Sequence, residues 1–189
     1  WITSIVQQAE ASQERINKFL KEQPEISNGK GAFKSILGEI EFKNVSLLYP
    51  ETQIKALNDV SIKISPGTTV GIIGNIGSGK SSILDLICRL YDPSEGSITL
   101  DGIDLKEYTL DQIRESIGYV PQNAFLFSES IENNIRFGSQ KVDLERIKDV
   151  SKKAVVHDNI ISFAKGYDTL LGERGVTLSG GQIQRISIA

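Results

Sequence analysis

The octad Gly74-Asn75-Ile76-Gly77-Ser78-Gly79-Lys80-Ser81 lies between a short apolar, β-branched run, Val70-Gly71-Ile72-Ile73, and a stretch carrying Ile83, Leu84, Ile87 and Leu90 at helical spacing. That order of strand, glycine loop and helix constrains the fold more than any other feature of the chain. A strand with no polar alternation is buried on both faces, which is the situation of a central parallel strand flanked by helices. The glycines let the backbone turn through conformations closed to other residues, so that successive N–H groups point inward, and the helix that follows adds its positive end. Such a loop is built to wrap phosphate. Lys80 can set its ammonium on β and γ phosphates, the hydroxyl of Ser81 is a hard oxygen ligand suited to Mg²⁺, and Ser82 lies within reach of an α phosphate. Residues Gly74 to Ser82 are therefore predicted to bind nucleotide. This motif alone does not separate kinases, GTPases and transport ATPases.

The rest of the chain sets limits on that reading. Its 189 residues suffice for one main unit, and 39% hydrophobic with 24% charged residues is the composition of a soluble globular protein. A formal net charge of -3, with no long basic block, gives no pull toward nucleic acid, which is not expected as a partner. The single cysteine, Cys88, has no internal disulfide partner and sits in an apolar pattern, so a buried reduced thiol is expected, in keeping with a cytosolic setting. No stretch reaches the roughly 18 apolar residues of a membrane span, no signal peptide is apparent, and the chain is expected to be soluble as it stands.

Residues 1–25 carry Ile2, Ile5, Val6, Ala9, Ile16, Phe19 and Leu20 near a 3.6 period, which predicts an amphipathic helix ending before Pro24. Residues 26–38, with Ser27-Asn28-Gly29-Lys30-Gly31, have linker composition. The globular part is expected to begin at Glu39. Alternation through Ile40, Phe42, Val45, Leu47 and then Val60, Ile62, Ile64 predicts an antiparallel sheet. Further expectations are a strand at Ser97–Leu100 with a turn at Asp101-Gly102, a helix at Leu110–Ile117, a strand at Gly118–Val120, and helical pieces over 131–164.

Leu178-Ser179-Gly180-Gly181-Gln182 is a second anion site in physical terms: a tight turn opening a helix through Ile188, with N–H groups, a hydroxyl and a dipole. Ser179 is also a fitting helix cap, and both roles can hold together. With this pentapeptide downstream of the glycine loop, the chain resembles the ATP-binding domains of ABC transporters. The resemblance implies that Leu178 to Gln182 closes on the ATP held by an opposing subunit, in a head-to-tail homodimer or heterodimer with two ATP molecules between the chains. It implies that Tyr49, in Val45-Ser46-Leu47-Leu48-Tyr49-Pro50, stacks on adenine. Gln122, in Tyr119-Val120-Pro121-Gln122, resembles the glutamine that reaches Mg²⁺ and the attacking water, so Lys80 and Gln122 are the catalytic candidates and Ser81 and Gln122 the metal ligands.

Two segments, Phe125-Leu126-Phe127-Ser128 through Asn134-Ile135 and Gly172-Glu173-Arg174-Gly175, resemble exporters more than importers. Residues 9–20 are similar to the cytoplasmic end of the last membrane helix where it joins the ATPase, which makes the parent's own membrane domain the partner of that face. Within the exporters, the chain looks closest to bacterial multidrug or lipid half-transporters. The implied fold is α/β: a P-loop NTPase core, mostly parallel sheet with helices, plus an antiparallel β subdomain and a helical subdomain at about 123–178. The implied role is that of an ATPase motor, using ATP and Mg²⁺ at the cytoplasmic face of the cell membrane to drive export. A soluble module that dimerises on nucleotide, without transport, is the alternative.

One departure matters. The family continues past the signature helix into a strand ending in aspartate and glutamate, whereas this sequence stops at Ala189, so the domain is expected to be C-terminally incomplete and to hydrolyse ATP near background. His157 precedes the signature and cannot replace the family's γ-phosphate histidine; it is expected at the surface. Ile183 stands where the family often has a basic residue.

Overall fold

A computed structural model describes residues 1–31, 35–139, 142–172 and 178–189. It divides into two compact units, residues 1–118 and 119–189.

In the first unit, α1 (Ile2–Lys21) is the expected amphipathic helix, with Lys18 and Lys21 complementing its negative end. None of its residues is buried, and Phe19 and Leu20 are largely exposed. No helix among the described residues is long and apolar enough to cross a membrane. The alternating segments pair as expected: β1 (Ile40–Leu48) runs antiparallel to β2 (Lys55–Ile64) and to β3 (Glu95–Leu100), and β4 (Ile103–Asp104) completes the order β2-β1-β3-β4. The register of β1 shifts between Phe42 and Val45, around Asn44 at a left-handed φ of 49°. This extra residue lets Phe42 and Val45, three apart, both face inward. Against the sheet lie α2 (Lys80–Ile87) and α3 (Leu110–Ser116), and Ile83, Leu86 and Ile113 join Phe42, Leu47, Ile98 and Leu100 in one core. α3 starts on a reciprocal cap between Thr109 and Gln112.

Two expected strands are not in a ladder. Val70–Ile73 and Gly118–Val120 carry no strand assignment, and Ile73 is 98% exposed. A β-branched run becomes a strand only where a neighbour supplies ladder partners, and among the described residues none does. The sheet formed by the described strands is thus the antiparallel one, and the parallel layer of the α/β core is not paired.

Cys88 directly follows α2 and is buried as expected. Burial chiefly, with the nearby Asp85 charge second, pushes its thiol up from the ordinary cysteine range, partly offset by Arg114. The thiolate is the reactive form, so the native chain should alkylate with iodoacetamide at pH 8 at least tenfold more slowly than the urea-unfolded chain. Equal rates, followed by mass spectrometry, would contradict the packing described.

The second unit contains α4 (Ile131–Arg136), α5 (Leu144–Lys153), α6 (His157–Ile161) and α7 (Gly180–Ile188). Ile131, Ile147, Val156, Ile160, Tyr167, Leu171 and Ile186 form its core. Ser130 and Asp143 cap α4 and α5 through their side chains. His157 is not a plain surface residue: its Nδ1 lies 2.8 Å from the hydroxyl of Tyr167, a core residue, because a buried phenol needs a polar partner.

Candidate nucleotide site

The phosphate loop owes its shape to close approaches that exclude side chains. Gly79, the residue before α2, has a φ of 82°, and a Cβ there would collide with the carbonyl of Ala56 on β2. A Cβ on Gly74 would come within 2.6 Å of the Ser78 hydroxyl. α2 thereby begins where β2 begins, and its first turn faces a cleft of about 290 Å³ lined by Tyr49, Lys55 and the loop from Gly77 to Ser82.

Within that cleft the chain holds the charge of Lys80 itself. The Lys80 ammonium donates to the carbonyls of Gly74, at 2.9 Å, and Asn75, at 2.7 Å, and lies 3.5 Å from the Ser78 hydroxyl. The amides of Gly77, Gly79, Lys80 and Ser81 donate to no acceptor among the described residues. They are the orphan donors of a helix start, open to an anion. Tyr49 lines the same cleft, half-buried, with its ring edge-on to Tyr91 at 5.0 Å between centroids. Its hydroxyl is 2.9 Å from Ser82 Oγ, so the residue expected on the α phosphate is here the partner of the aromatic expected on the base. Ile76 is fully exposed at the loop's tip.

The free amides, the lysine and the exposed Ser81 hydroxyl fit a Mg²⁺-bound polyphosphate: donors for the anion and one hard oxygen for the metal. No cluster of histidine, cysteine, aspartate or glutamate suited to hold a metal without the nucleotide occurs among the described residues.

Gln122 and Leu178 to Gln182 belong to the second unit. Gln122 is exposed. At the head of α7, Ser179 Oγ accepts from the Gln182 amide at 3.3 Å while Gln182 Oε1 accepts from the Ser179 amide at 2.8 Å. The helix-cap reading of Ser179 thus holds. A Cβ at Gly180 would meet nothing within 4 Å, so the helix start is open to an approaching ligand. Of the exporter-like segment at 172–175, Glu173 to Gly175 lie outside the described residues.

Sequence reasoning missed Lys55, a cation in the cleft, because a lysine at a strand's start reads as solvated surface. It also missed the side chain of Asn134, which donates to the carbonyl of Phe127 at 3.1 Å and accepts from its amide at 2.7 Å, fixing the turn before α4. An asparagine inside a six-residue helix was the available signal.

The family model described as ABC transporter matches residues 57–189. In Bacillus subtilis, the "Uncharacterized ABC transporter ATP-binding protein YknU" is 41% identical over the whole chain and 33% of its own length. The "Putative multidrug export ATP-binding/permease protein YgaD" of the same organism is 43% identical over 96% of the chain and 32% of its own length. The "ATP-dependent lipid A-core flippase" of Escherichia coli is 42% identical over 90% of the chain and 29% of its own length. The chain spans about a third of the length of these relatives. A solved structure described as a bacterial Atm1-family ABC exporter with ATP bound superposes with a TM-score of 0.87 and 31% identity over 99% of the chain and 33% of its own. The unpaired Val70–Ile73 run therefore sits in a chain whose trace follows that of a P-loop NTPase domain. Glycine loop, signature helix and backbone trace agree: this chain belongs to the ABC transporter family, and it corresponds to the ATP-binding domain of the exporter type.

Proposed function

We propose that residues 39–189 capture Mg-ATP on the phosphate loop and form, in the parent protein, half of the motor that drives export of a substrate across a membrane. The observation that supports this most directly is the set of amides at Gly77, Gly79, Lys80 and Ser81 that donate to no acceptor among the described residues, beside the Lys80 ammonium. Adenine goes against Tyr49 in this reading. The loop amides and Lys80 take the β and γ phosphates, while Ser81 turns its hydroxyl to the metal. Mg²⁺, when bound, neutralises charge on the transferring phosphoryl group. Gln122 positions the attacking water.

Leu178 to Gln182 act on the ATP of an opposing chain, so that nucleotide holds two domains head to tail, as a homodimer or with a related half-transporter. Residues 1–25 join the domain to the parent's membrane portion, with 26–38 as linker, which places it at the cytoplasmic face. The apolar face of α1, exposed among the described residues, favours this over a soluble dimerising module.

The test is calorimetric titration of Mg-ATP into a chain of residues 1–189. Binding in the micromolar to millimolar range is the expected result. A well-folded chain that takes up no Mg-ATP would overturn the site.

A further inference from the structure

The helix that carries the phosphate loop ends on an arginine in a position suited to glycine. At the close of α2 the Arg89 amide donates to the carbonyl of Leu86 at 3.1 Å and the Leu90 amide to that of Asp85 at 2.8 Å. This pair of bonds requires the residue between helix and exit to be left-handed, and Arg89 has a φ of 49°. Glycine adopts that conformation without steric cost and arginine does not.

The side chain accounts for the choice. Arg89 is 2% exposed, and its guanidinium uses all three nitrogens: Nε donates to Asp92 at 3.1 Å, Nη1 to the carbonyl of Tyr108 at 3.3 Å, and Nη2 to the carbonyl of Ser27 at 2.9 Å. Ser27 lies in the linker that follows α1. The same linker is fastened along the start of α3: the Gly29 amide donates to the Tyr108 carbonyl at 3.2 Å, the Gly31 amide to that of Glu107 at 3.0 Å, and Asn28 Oδ1 accepts from the Leu110 amide at 2.8 Å. Gly29 is needed there, since a Cβ would collide with the carbonyls of Lys106 and Tyr108.

We propose that Arg89 is a positioning residue that makes the linker and the phosphate loop opposite ends of one rigid rod, α2. Its first turn holds the phosphates and its last turn, through Arg89, holds Ser27. Ordering of the first turn by nucleotide stiffens the linker, and a pull on the linker loosens the cradle, because coupling between two sites is reciprocal. This rests on the reading that the loop binds Mg-ATP.

Amide hydrogen exchange, resolved by residue, tests it in three chains of residues 1–189: the natural sequence, Arg89→Gly and Gly29→Val. Arg89→Gly removes the guanidinium while giving α2 the residue its end prefers, so the helix is kept. In the natural chain, Mg-ATP is expected to slow exchange at Gly29 and Gly31 together with the loop amides. In Arg89→Gly the loop amides should still respond, the linker amides should not, and the Kd for Mg-ATP should rise by roughly fivefold. An equal linker response in both chains would reduce Arg89 to a structural filler and overturn the proposal. Gly29→Val works without nucleotide: detaching the linker should speed exchange at Leu90 severalfold, and no change there overturns the rod. A natural chain whose loop amides ignore Mg-ATP would refute nucleotide binding instead, and the Gly29→Val comparison would still decide the tie.

Discussion

Lys80→Ala is expected to raise the Kd for Mg-ATP by roughly 10²-fold or more, to the point where calorimetry detects no heat of binding. Each hydrogen bond from a charged donor is worth about 1.5–3 kcal/mol, and a lysine bridging two phosphates makes more than one of them. Against this stands the bond set the ammonium already makes, to the carbonyls of Gly74 and Asn75, which it must leave when the anion arrives. Those bonds are exposed and are replaceable by water, whereas phosphate oxygens add a net opposite charge, so the exchange favours nucleotide. The folded state should hardly notice the substitution: a change in urea unfolding beyond about 1 kcal/mol would mean that Lys80 is a structural strut. Undiminished binding by Lys80→Ala would remove the lysine from the site.

Gly79→Val is expected to do more damage, abolishing nucleotide binding and lowering stability by about 3 kcal/mol or more. Two costs combine at this residue. A β-branched side chain at a φ of 82° is strained by itself, and its Cβ would drive into the Ala56 carbonyl, with Leu57 Cδ2 at 2.8 Å behind it. Neither β2 nor the start of α2 can yield alone, because Leu57 and Ile83 share one core. Gly67→Ala separates the two costs. Gly67 also has a positive φ, of 70°, but a Cβ there meets nothing within 4 Å, so only the conformational cost, on the order of 1 kcal/mol, should appear. Urea denaturation of the two variants beside the natural chain gives the comparison. Equal, small losses would show that β2 and the loop are not in contact.

Both predictions fall on residues marked by the sequence, and the reason is local. A phosphate loop is a continuous run whose glycines, lysine and serine are each required by backbone geometry or charge, so eight letters carry nearly the whole site. The same holds for α3, where Thr109 and Gln112 form the cap that their spacing advertises, and for Ser179 with Gln182. The antiparallel pair was legible because alternation through Ile40, Phe42 and Ile62, Ile64 exposes one face of a sheet.

What lay beyond the sequence depends on partners distant along the chain. Val70-Gly71-Ile72-Ile73 has the composition of a buried strand, but strand formation is a property of two segments, and composition describes one. Nothing in the sequence marks Arg89, while Asp101 reads there only as a turn residue and Asn134 only as part of an exporter-like segment. Asp101 in fact accepts from the amides of Leu37, Gly38 and Glu39, more than sixty positions away. The conflict at Arg89, a left-handed arginine, was visible only in the dihedral angle. Tyr49 and Ser82 were each marked for a different part of the ligand, and nothing in their spacing announced that their hydroxyls meet.

The seat of the Lys80 ammonium on two carbonyls also bears on which solutes the loop ignores. A bare cation beside unpaired amides would attract chloride, a carboxylate or any small singly charged metabolite anion abundant in its surroundings. An ammonium already solvated by the Gly74 and Asn75 carbonyls gains little from a weak, singly charged visitor, which cannot replace both partners. Only a ligand with several oxygens on adjacent phosphorus atoms can repay the ammonium for leaving and engage the amides from Gly77 to Ser81 at once. The loop's own carbonyls thus compete for the ammonium, and they set a threshold that screens out the commonest wrong occupants before the base is ever inspected.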